Sequence, residues 1–324
     1  MQRREYQFKF FNTSEGQYAN NLDPERPAAT FKVTLIGAGA VLDKGGSRAT
    51  YYDGEQCTVS ALPGYNVTSL AIEGGSTITQ LPYTFMVSCN TNITVNAIQQ
   101  KSFADSTWSE IDEVCKAGLA PTMYAVGDEK DIELSTGEII TVLILGFNHD
   151  DLSDGSGKAS MTIGMKNLLA TTYRMNATST NEGGWDESEM RTSTTATLLS
   201  RLPSDLQSVI KQVNKKATAG GASTSITTSA DKLWLFAEVE IVGATSAGHA
   251  DEGEQYEYWK TVKDGTVAAD RKKYLSNGSG SAYFWWLRSP YVNNSYFFRY
   301  IFSTGIVNFT YAYFTYGVSF GFCV

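Results

Sequence analysis

The sequence predicts an α+β protein in which a small all-β domain precedes a larger mixed domain. Short runs rich in β-branched residues, separated by glycine and asparagine, fill residues 30–99 and are typical of strands. After residue 100 two helix-like patterns alternate with strand-like ones. The aromatic residues then concentrate at the C-terminal end, where 17 of the 40 lie between Tyr283 and Val324.

Residues 1–29 are polar and follow no period, and Pro24 and Pro27 are typical of turns, so we expect an N-terminal arm or connector. The chain starts with charged and polar residues and lacks the apolar core of a signal peptide. We therefore expect synthesis in a bacterial cytoplasm without a signal peptide.

Residues 30–99 are predicted to form a small β-sandwich. The pattern resembles the immunoglobulin-like modules of bacterial surface and phage structural proteins. Gly37 and Gly39 imitate the start of a dinucleotide-binding loop, but Leu42 occupies the third glycine position and no helix pattern follows. We expect a β-turn there.

Residues 100–324 are predicted to form the mixed domain. A helix is expected over 108–117, capped by Ser106 or Thr107 and stopped by Gly118. The remaining predictions are a hairpin turn over 135–138, a helix over 204–214 with Lys215 and Lys216 in its last turn, a loop over 217–229, a strand over 233–242 and a loop over 243–253.

Charge and hydropathy argue against a nucleic-acid-binding protein and against a membrane-spanning one. The formal charge of −8 argues against nucleic-acid binding, which usually requires a basic face. The longest strongly apolar run, 139–147, is far shorter than the roughly 20 residues of a membrane-spanning helix.

Candidates for catalysis or metal binding are few, and we expect no enzyme, cofactor or metal site. The loop from His149 to Asp154 is acidic but lacks EF-hand spacing, so a solvated turn is favoured over a cation site. His249 lies in a polar stretch and is expected to be exposed. Cys115 and Cys323 are expected to be separate, and Cys323 to be a buried structural thiol.

The segment 291–316 is the most unusual part of the chain. Eleven of its 26 residues are Tyr or Phe, and its one charged side chain is Arg299. It keeps neither a period of two nor a helical stripe, so a buried β-core is disfavoured. Tyr, Asn, Ser and Gly are the residues of recognition loops, which supports a binding surface.

The residue types that are missing support the same interpretation. The segment lacks Lys, Glu, Gln, Met and Trp. Asn, Tyr, Phe, Ser, Thr, Ile and Val share codons with a pyrimidine third base and differ from an Asn codon at its two adenines. This composition is the one expected if the adenines of an Asn-rich template were replaced at random.

The flanking motifs extend this interpretation to a family. Trp285-Trp-Leu-Arg-Ser-Pro290 and Gly317-Val-Ser-Phe-Gly-Phe-Cys-Val324 resemble the end of variable proteins of diversity-generating retroelements, found in gut bacteria and their phages. Further similarity lies upstream, at Val126-Gly-Asp, Ile132-Glu-Leu-Ser-Thr-Gly-Glu, Gly146-Phe-Asn-His-Asp-Asp-Leu, Met165-Lys-Asn, Gly183-Gly-Trp and Asp231-Lys-Leu-Trp-Leu-Phe.

The resemblance implies a C-type-lectin-like fold for residues 100–324, with a ligand-binding face made by variable side chains within 291–316. Trp286, Arg288, Phe298, Gly305, Val307 and Gly317 would belong to the constant scaffold. The calcium motifs of lectins are absent, so calcium-dependent sugar binding is not expected. The implied ligand-binding positions are Tyr291, Asn293, Tyr296, Phe297, Tyr300, Phe302, Thr304, Ile306, Asn308, Phe309, Thr310, Tyr311, Tyr313, Phe314 and Tyr316.

The expected function is therefore binding of a protein or glycan on a bacterial surface by a protein displayed on a virion, such as a phage tail or capsid. A homo-oligomer is expected, held to other virion proteins through the N-terminal arm. Two alternatives stay open. The aromatic segment could be an oligomer interface of a structural virion protein, or the chain could be an enzyme of the formylglycine-generating type that uses Cys115 and Cys323.

Overall fold

The computed structural model describes residues 29–243, 249–261, 268–278 and 280–324. The predicted arm over 1–29 lies outside the described residues, apart from Ala29. The chain divides into two compact units, Met1–Gln99 and Gln100–Val324, and the architecture is mixed and mostly β. In the described ranges, no helix combines the length and apolar character needed to cross a membrane.

The first unit consists of two sheets that enclose one core. A five-stranded sheet has the order β3-β1-β8-β5-β6, and a three-stranded sheet has the order β2-β4-β7. The strands are β1 (Thr30–Ile36), β2 (Ala40–Leu42), β3 (Arg48–Tyr52), β4 (Gln56–Ala61), β5 (Tyr65–Ile72), β6 (Thr77–Ile78), β7 (Tyr83–Met86) and β8 (Thr91–Gln99).

Alternation of side chains explains how the two sheets meet. Val33 and Leu35 of β1 point inward from one sheet, and Cys57 and Val59 of β4 point inward from the other. Their neighbours along each strand are more exposed, as a half-buried strand requires. Gly37 and Gly39 lie between β1 and β2 with positive φ, and no helix follows them, in agreement with the prediction.

The second unit mixes short helices with several small sheets. Its strands are β9 (Glu129–Glu133), β10 (Ile139–Phe147), β11 (Met161–Met165), β12 (Val213–Thr218), β13 (Ile226–Asp231), β14 (Trp234–Leu235), β15 (Lys273–Tyr274), β16 (Ala282–Tyr283), β17 (Trp285–Pro290), β18 (Phe297–Ile301), β19 (Val307–Tyr311) and β20 (Phe320–Cys323). Its helices are α1 (Trp108–Lys116), α2 (Ala120–Met123), α3 (Gly184–Glu187), α4 (Thr195–Arg201), α5 (Ser204–Val209), α6 (Glu238–Val242) and α7 (Glu257–Thr261). A π-helical turn spans Met190–Thr194, and 3-10 turns span Ala250–Glu252 and Ala269–Arg271.

A five-stranded sheet of order β14-β20-β11-β10-β9 forms the centre of this unit. All five residues of β11 are buried, so the middle of the sheet is covered on both faces. One core cluster joins Leu143 and Leu145 of this sheet to Phe236 and to Trp285 and Leu287 of β17. The C-terminal sheet β17-β18-β19 therefore packs on a rigid central layer.

Two local predictions are confirmed. Helix α1 begins after Thr107, whose hydroxyl accepts a hydrogen bond from the Glu110 backbone while the Glu110 carboxylate accepts from the Thr107 backbone. This reciprocal pair is the capping box expected for such a spacing. The hairpin around 135–138 joins β9 to β10.

The predictions of a helix over 204–214 and a loop over 217–229 are each wrong in part. Helix α5 ends at Val209, and Lys215 and Lys216 lie in strand β12. This strand forms a hairpin with β13, so the loop is limited to 219–225. The reason is that Lys215 points inward at 3% exposure and pairs with Asp150 and Glu240. The sequence pattern assigns lysine to the solvent-facing side of a strand. Because Lys215 faces inward, the alternation of buried and exposed residues in β12 is not visible from the sequence.

The predicted strand over 233–242 is also wrong in its second half. Only Trp234–Leu235 forms a strand, and Glu238–Val242 forms helix α6, which ends at Gly243 with a φ of +74°. Glutamate alternating with valine and isoleucine imitates a half-buried strand. Both glutamates are in fact buried, because each meets an arginine of the C-terminal sheet.

Candidate functional site

The segment 291–316 forms an antiparallel hairpin on the edge of β17. Phe297 lies opposite Tyr311, and Arg299 lies opposite Phe309. The sequence pattern disfavours a buried β-core for this run, and this prediction is wrong for β18, of whose five residues four are buried, whereas no residue of β19 is fully buried. The run lacks a period of two because aromatic side chains occupy both sides of the hairpin and also its turns.

Seven rings on one side form a connected surface that we call the aromatic face. Tyr291 and Phe309 stack with ring centroids 4.2 Å apart and planes at 9°. Phe297 contacts Phe309 at 5.3 Å and Tyr311 at 4.7 Å. The members of the aromatic face are Tyr291, Tyr296, Phe297, Phe309, Tyr311, Tyr313 and Phe314.

A second ring cluster lies deeper. Tyr316 stacks on Trp286 at 4.8 Å and contacts Tyr300 at 4.9 Å, and Phe284 contacts Phe302 at 4.8 Å. Phe314 and Tyr316 join the two clusters at 6.4 Å. These separations are those of favourable aromatic pairs, so the rings hold one another in defined positions.

The predicted ligand-binding residues differ in exposure. Tyr300 is buried at 6% exposure, so it supports the rings above it and does not itself reach the surface. The half-buried residues are Tyr291, Phe297, Phe302, Thr310 and Tyr316. The exposed residues are Asn293, Tyr296, Thr304, Ile306, Asn308, Phe309, Tyr311, Tyr313 and Phe314.

Exposed apolar side chains are concentrated at this site. In the described part of the second unit, six of the eight large exposed hydrophobic residues lie within 296–314, the other two being Ile139 and Tyr274. Contiguous exposed apolar area of this kind marks an interaction site or an aggregation liability. Polar groups of Tyr, Asn and Thr lie among the rings, so the surface can also form hydrogen bonds.

Buried ion pairs connect the C-terminal sheet to helix α6. The Arg288 guanidinium on β17 donates to both carboxylate oxygens of Glu240 at 2.6 and 2.8 Å. The same carboxylate accepts from Lys215 at 2.6 Å, and Lys215 also donates to Asp150 at 2.6 Å. Burial raises the pKa of the Glu240 carboxyl, but attraction to Arg288 and Lys215 outweighs this and lowers it.

A second arginine is anchored in the same way. Arg299 of β18 donates to Glu238 at 2.6 and 2.9 Å, and both side chains are buried. Next to Arg288, the Ser289 hydroxyl donates to the Glu252 carboxylate. The two arginines nearest the aromatic face are thus neutralised inside the protein, and the exposed side chains of the hairpin carry no charge.

Asn181 holds the loop that leads into the hairpin. This buried side chain donates from Nδ2 to the carbonyl oxygens of Asn294 at 2.8 Å and Phe297 at 2.7 Å. Its own backbone N–H donates to the Ser295 carbonyl at 2.7 Å. Gly305 shapes the hairpin turn, because its φ is +89° and a Cβ there would lie 1.5 Å from the Ala268 carbonyl oxygen.

The acidic loop near Asp150 is built for structure. The prediction of a solvated turn is wrong for Asp150, which is buried. Asp151 forms an ion pair with Lys158 at 3.1 Å. Burial raises the pKa of the Asp150 carboxyl, but Lys215 and the Thr162 hydroxyl lower it to about 2. Among the described residues, no three His, Cys, Asp or Glu side chains group closely enough to hold a metal ion.

The remaining candidates for chemistry are enclosed. His249, expected to be exposed, is fully buried, with Nδ1 3.3 Å from the Glu252 carboxylate. Cys115 and Cys323 are free and buried. Burial raises the pKa of the Cys115 thiol to about 11 and raises that of Cys323 well above its ordinary value, which disfavours the reactive thiolate in both.

Several residues important to the site escape sequence reasoning. Asn181, Glu238, Glu240 and Glu252 support the hairpin from segments that are 36 or more residues away from their partners. Phe284 joins the deeper ring cluster although it precedes the recognised motif. The sequence contains both the glutamates and the arginines of these ion pairs, but their spacing along the chain does not show which residues pair.

Comparison with known proteins gives one family. A family model described as a domain of unknown function (DUF6273) matches residues 160–324, which include α6 and the whole C-terminal sheet. No curated protein and no solved structure matches the chain.

Replacing Glu240 by Gln tests the buried anchor. The change leaves the charges of Arg288 and Lys215 without that carboxylate, and we expect the free energy of unfolding of the second unit to fall by about 3–5 kcal/mol in urea. The control is Glu129→Gln, which breaks an exposed pair with Lys166 and should cost less than about 1 kcal/mol. Equal losses for both variants would contradict the anchoring role.

Proposed function

The chain belongs to the DUF6273 family of domains of unknown function, and we propose that it is a diversified ligand-binding protein. Its aromatic face contacts a protein or glycan on a bacterial surface. The observation that carries the proposal is an exposed, uncharged layer of contacting rings on a sheet that buried ion pairs hold in place.

The chemistry of the face supports binding rather than catalysis. Tyrosine and phenylalanine offer a large contact area at a low cost in side-chain entropy, because each has two rotatable side-chain bonds. The rings contact one another before any ligand arrives, so little further ordering is needed on binding. The buried thiols, both with raised pKa, give little support to an enzyme that uses Cys115 and Cys323.

The resemblance to variable proteins of diversity-generating retroelements supplies the biological setting. In this proposal the second unit is a C-type-lectin-like domain, and the first is an immunoglobulin-like module, which its two-sheet core supports. The protein is displayed on a phage tail or capsid as a homo-oligomer, held through the segment over 1–29. Several copies would raise the strength of weak single-site contacts through avidity.

The oligomer-interface alternative rests on the same exposed rings. An apolar surface of this size is usually covered by some partner, and a second copy of the chain is one such partner. A structural virion protein would then bury the aromatic face permanently. Binding and oligomeric state must therefore be measured on the same variant.

A quadruple variant (the fourfold variant), with Tyr296→Ser, Phe309→Ser, Tyr311→Ser and Phe314→Ser, tests whether the aromatic face binds a ligand or forms an oligomer interface. We expect adsorption to a panel of gut bacterial strains to weaken at least about tenfold, because central aromatic residues supply most interface energy. The matched control is Tyr52→Ser with Ile139→Ser, two exposed hydrophobic residues outside the face, which should keep adsorption unchanged.

Light scattering on the same two proteins separates the alternatives. An unchanged oligomeric mass with lost adsorption supports a ligand-binding face. Dissociation of the oligomer in the fourfold variant alone would favour the structural interface. Adsorption equal to that of the unmodified protein would contradict the proposal.

The coding sequence provides an independent test of diversification. We expect a near-copy of the segment that encodes 291–316 close to the gene, with adenine in the copy wherever the two differ, and a reverse transcriptase gene nearby. The differences should fall on codons of the exposed residues and spare Phe298 and Gly305, which are buried. Absence of such a repeat would contradict diversification while leaving binding open to the adsorption test.

A further inference from the structure

Lys273 is a buried cation away from the aromatic face. It lies on β15 with 3% exposure, and its Nζ donates to the backbone carbonyl oxygens of Met165 and, at 3.0 Å, Lys166. The rings of Trp285 and Trp259 lie 5.2 and 5.7 Å from the ammonium. Two carbonyl oxygens and two aromatic rings therefore surround this group.

Lys273 differs from three other buried cations in its lack of a carboxylate partner among the described residues. Lys215, Arg288 and Arg299 each meet a carboxylate within 2.6 Å. Within the described ranges, Lys273 forms no ion pair with a carboxylate. Burial lowers the pKa of its ammonium to about 7.

Lys273 also lines a cavity of about 300 Å³. Leu143, Leu145 and Phe236 give the cavity an apolar wall, and Asn167 contributes an amide. This volume is at the lower end of the roughly 300–1,000 Å³ typical of small-molecule sites. Among the charged residues that line it, Lys166, Lys272 and Lys273 outnumber the single carboxylate of Asp270. A cavity with an apolar wall and this excess of positive charge fits an amphipathic ligand with a single negative group.

We propose that this cavity binds a small monocarboxylate with an apolar tail, whose carboxylate pairs with Lys273. An ammonium has three N–H donors, and the two backbone carbonyls use two of them. The third donates to the ligand carboxylate, which supplies the missing counter-charge. The tail packs against Leu143, Leu145 and Phe236 and gains hydrophobic free energy in proportion to the area it buries.

Titration with hexanoate, followed by calorimetry at pH 6.5, tests the site. We expect hexanoate to bind at least about tenfold more tightly than 1-hexanol, which lacks the charge, or acetate, which lacks the tail. Lys273→Met should remove hexanoate binding, whereas Lys232→Met, which removes an exposed lysine, should preserve it. Equal affinities for hexanoate and 1-hexanol would overturn the proposal, and so would full binding by Lys273→Met.

A pH titration of the unmodified protein tests the same site without depending on the folding of a variant. Lys166, Tyr258, Asp270, Lys272 and Tyr274 also line the cavity. Because binding requires the protonated Lys273 and its pKa is about 7, hexanoate affinity should fall at least about tenfold between pH 6.5 and pH 9. An affinity that stays constant over this interval would overturn the pairing with Lys273.

Discussion

The buried salt bridges between α6 and the C-terminal sheet are the interaction on which the rest of the second unit depends. A helix of five residues supplies Glu238 and Glu240, which bind Arg299 and Arg288 from two adjacent strands. Buried ions cost several kcal/mol each in lost hydration, so such pairs persist only with close geometry and full hydrogen bonding. Arg288 meets this condition, because it also donates to the carbonyl oxygens of Lys216, Leu235 and Glu252.

This arrangement separates what holds the fold from what contacts a ligand. The charged anchors, Asn181 and the rings of Trp286 and Phe298 are buried, whereas five of the seven rings of the aromatic face are exposed. Substitutions at exposed positions away from special features usually change stability by no more than about 0.5 kcal/mol. The exposed side chains of such a surface can be substituted without unfolding the scaffold, and the proposed diversification requires this.

Sequence patterns predicted the elements whose contacts are local. The predictions failed for residues whose burial depends on partners far away in the sequence. The capping box at Thr107 and the β9–β10 hairpin could be predicted because their contacts are a few residues apart. Lys215 and Glu240 were placed wrongly, since a charged residue reads as exposed unless its counter-ion is known, and these two are 25 residues apart. The predicted binding residues lie mostly at the surface, but the burial of Tyr300 depends on Trp286 and Tyr316 and could not be foreseen.

If the buried anchors hold a face whose residues are free to vary, randomised variants of that face should unfold at nearly the same temperature as the parent protein. The library would vary Asn293, Tyr296, Thr304, Ile306, Asn308, Phe309, Tyr311, Tyr313 and Phe314 together, with Glu238, Glu240, Arg288 and Arg299 unchanged. We expect most purified variants to keep a Tm within a few degrees of that of the parent protein, since about 1 kcal/mol corresponds to roughly 2–4 °C for a unit of this size. Loss of cooperative unfolding in most variants would contradict this expectation.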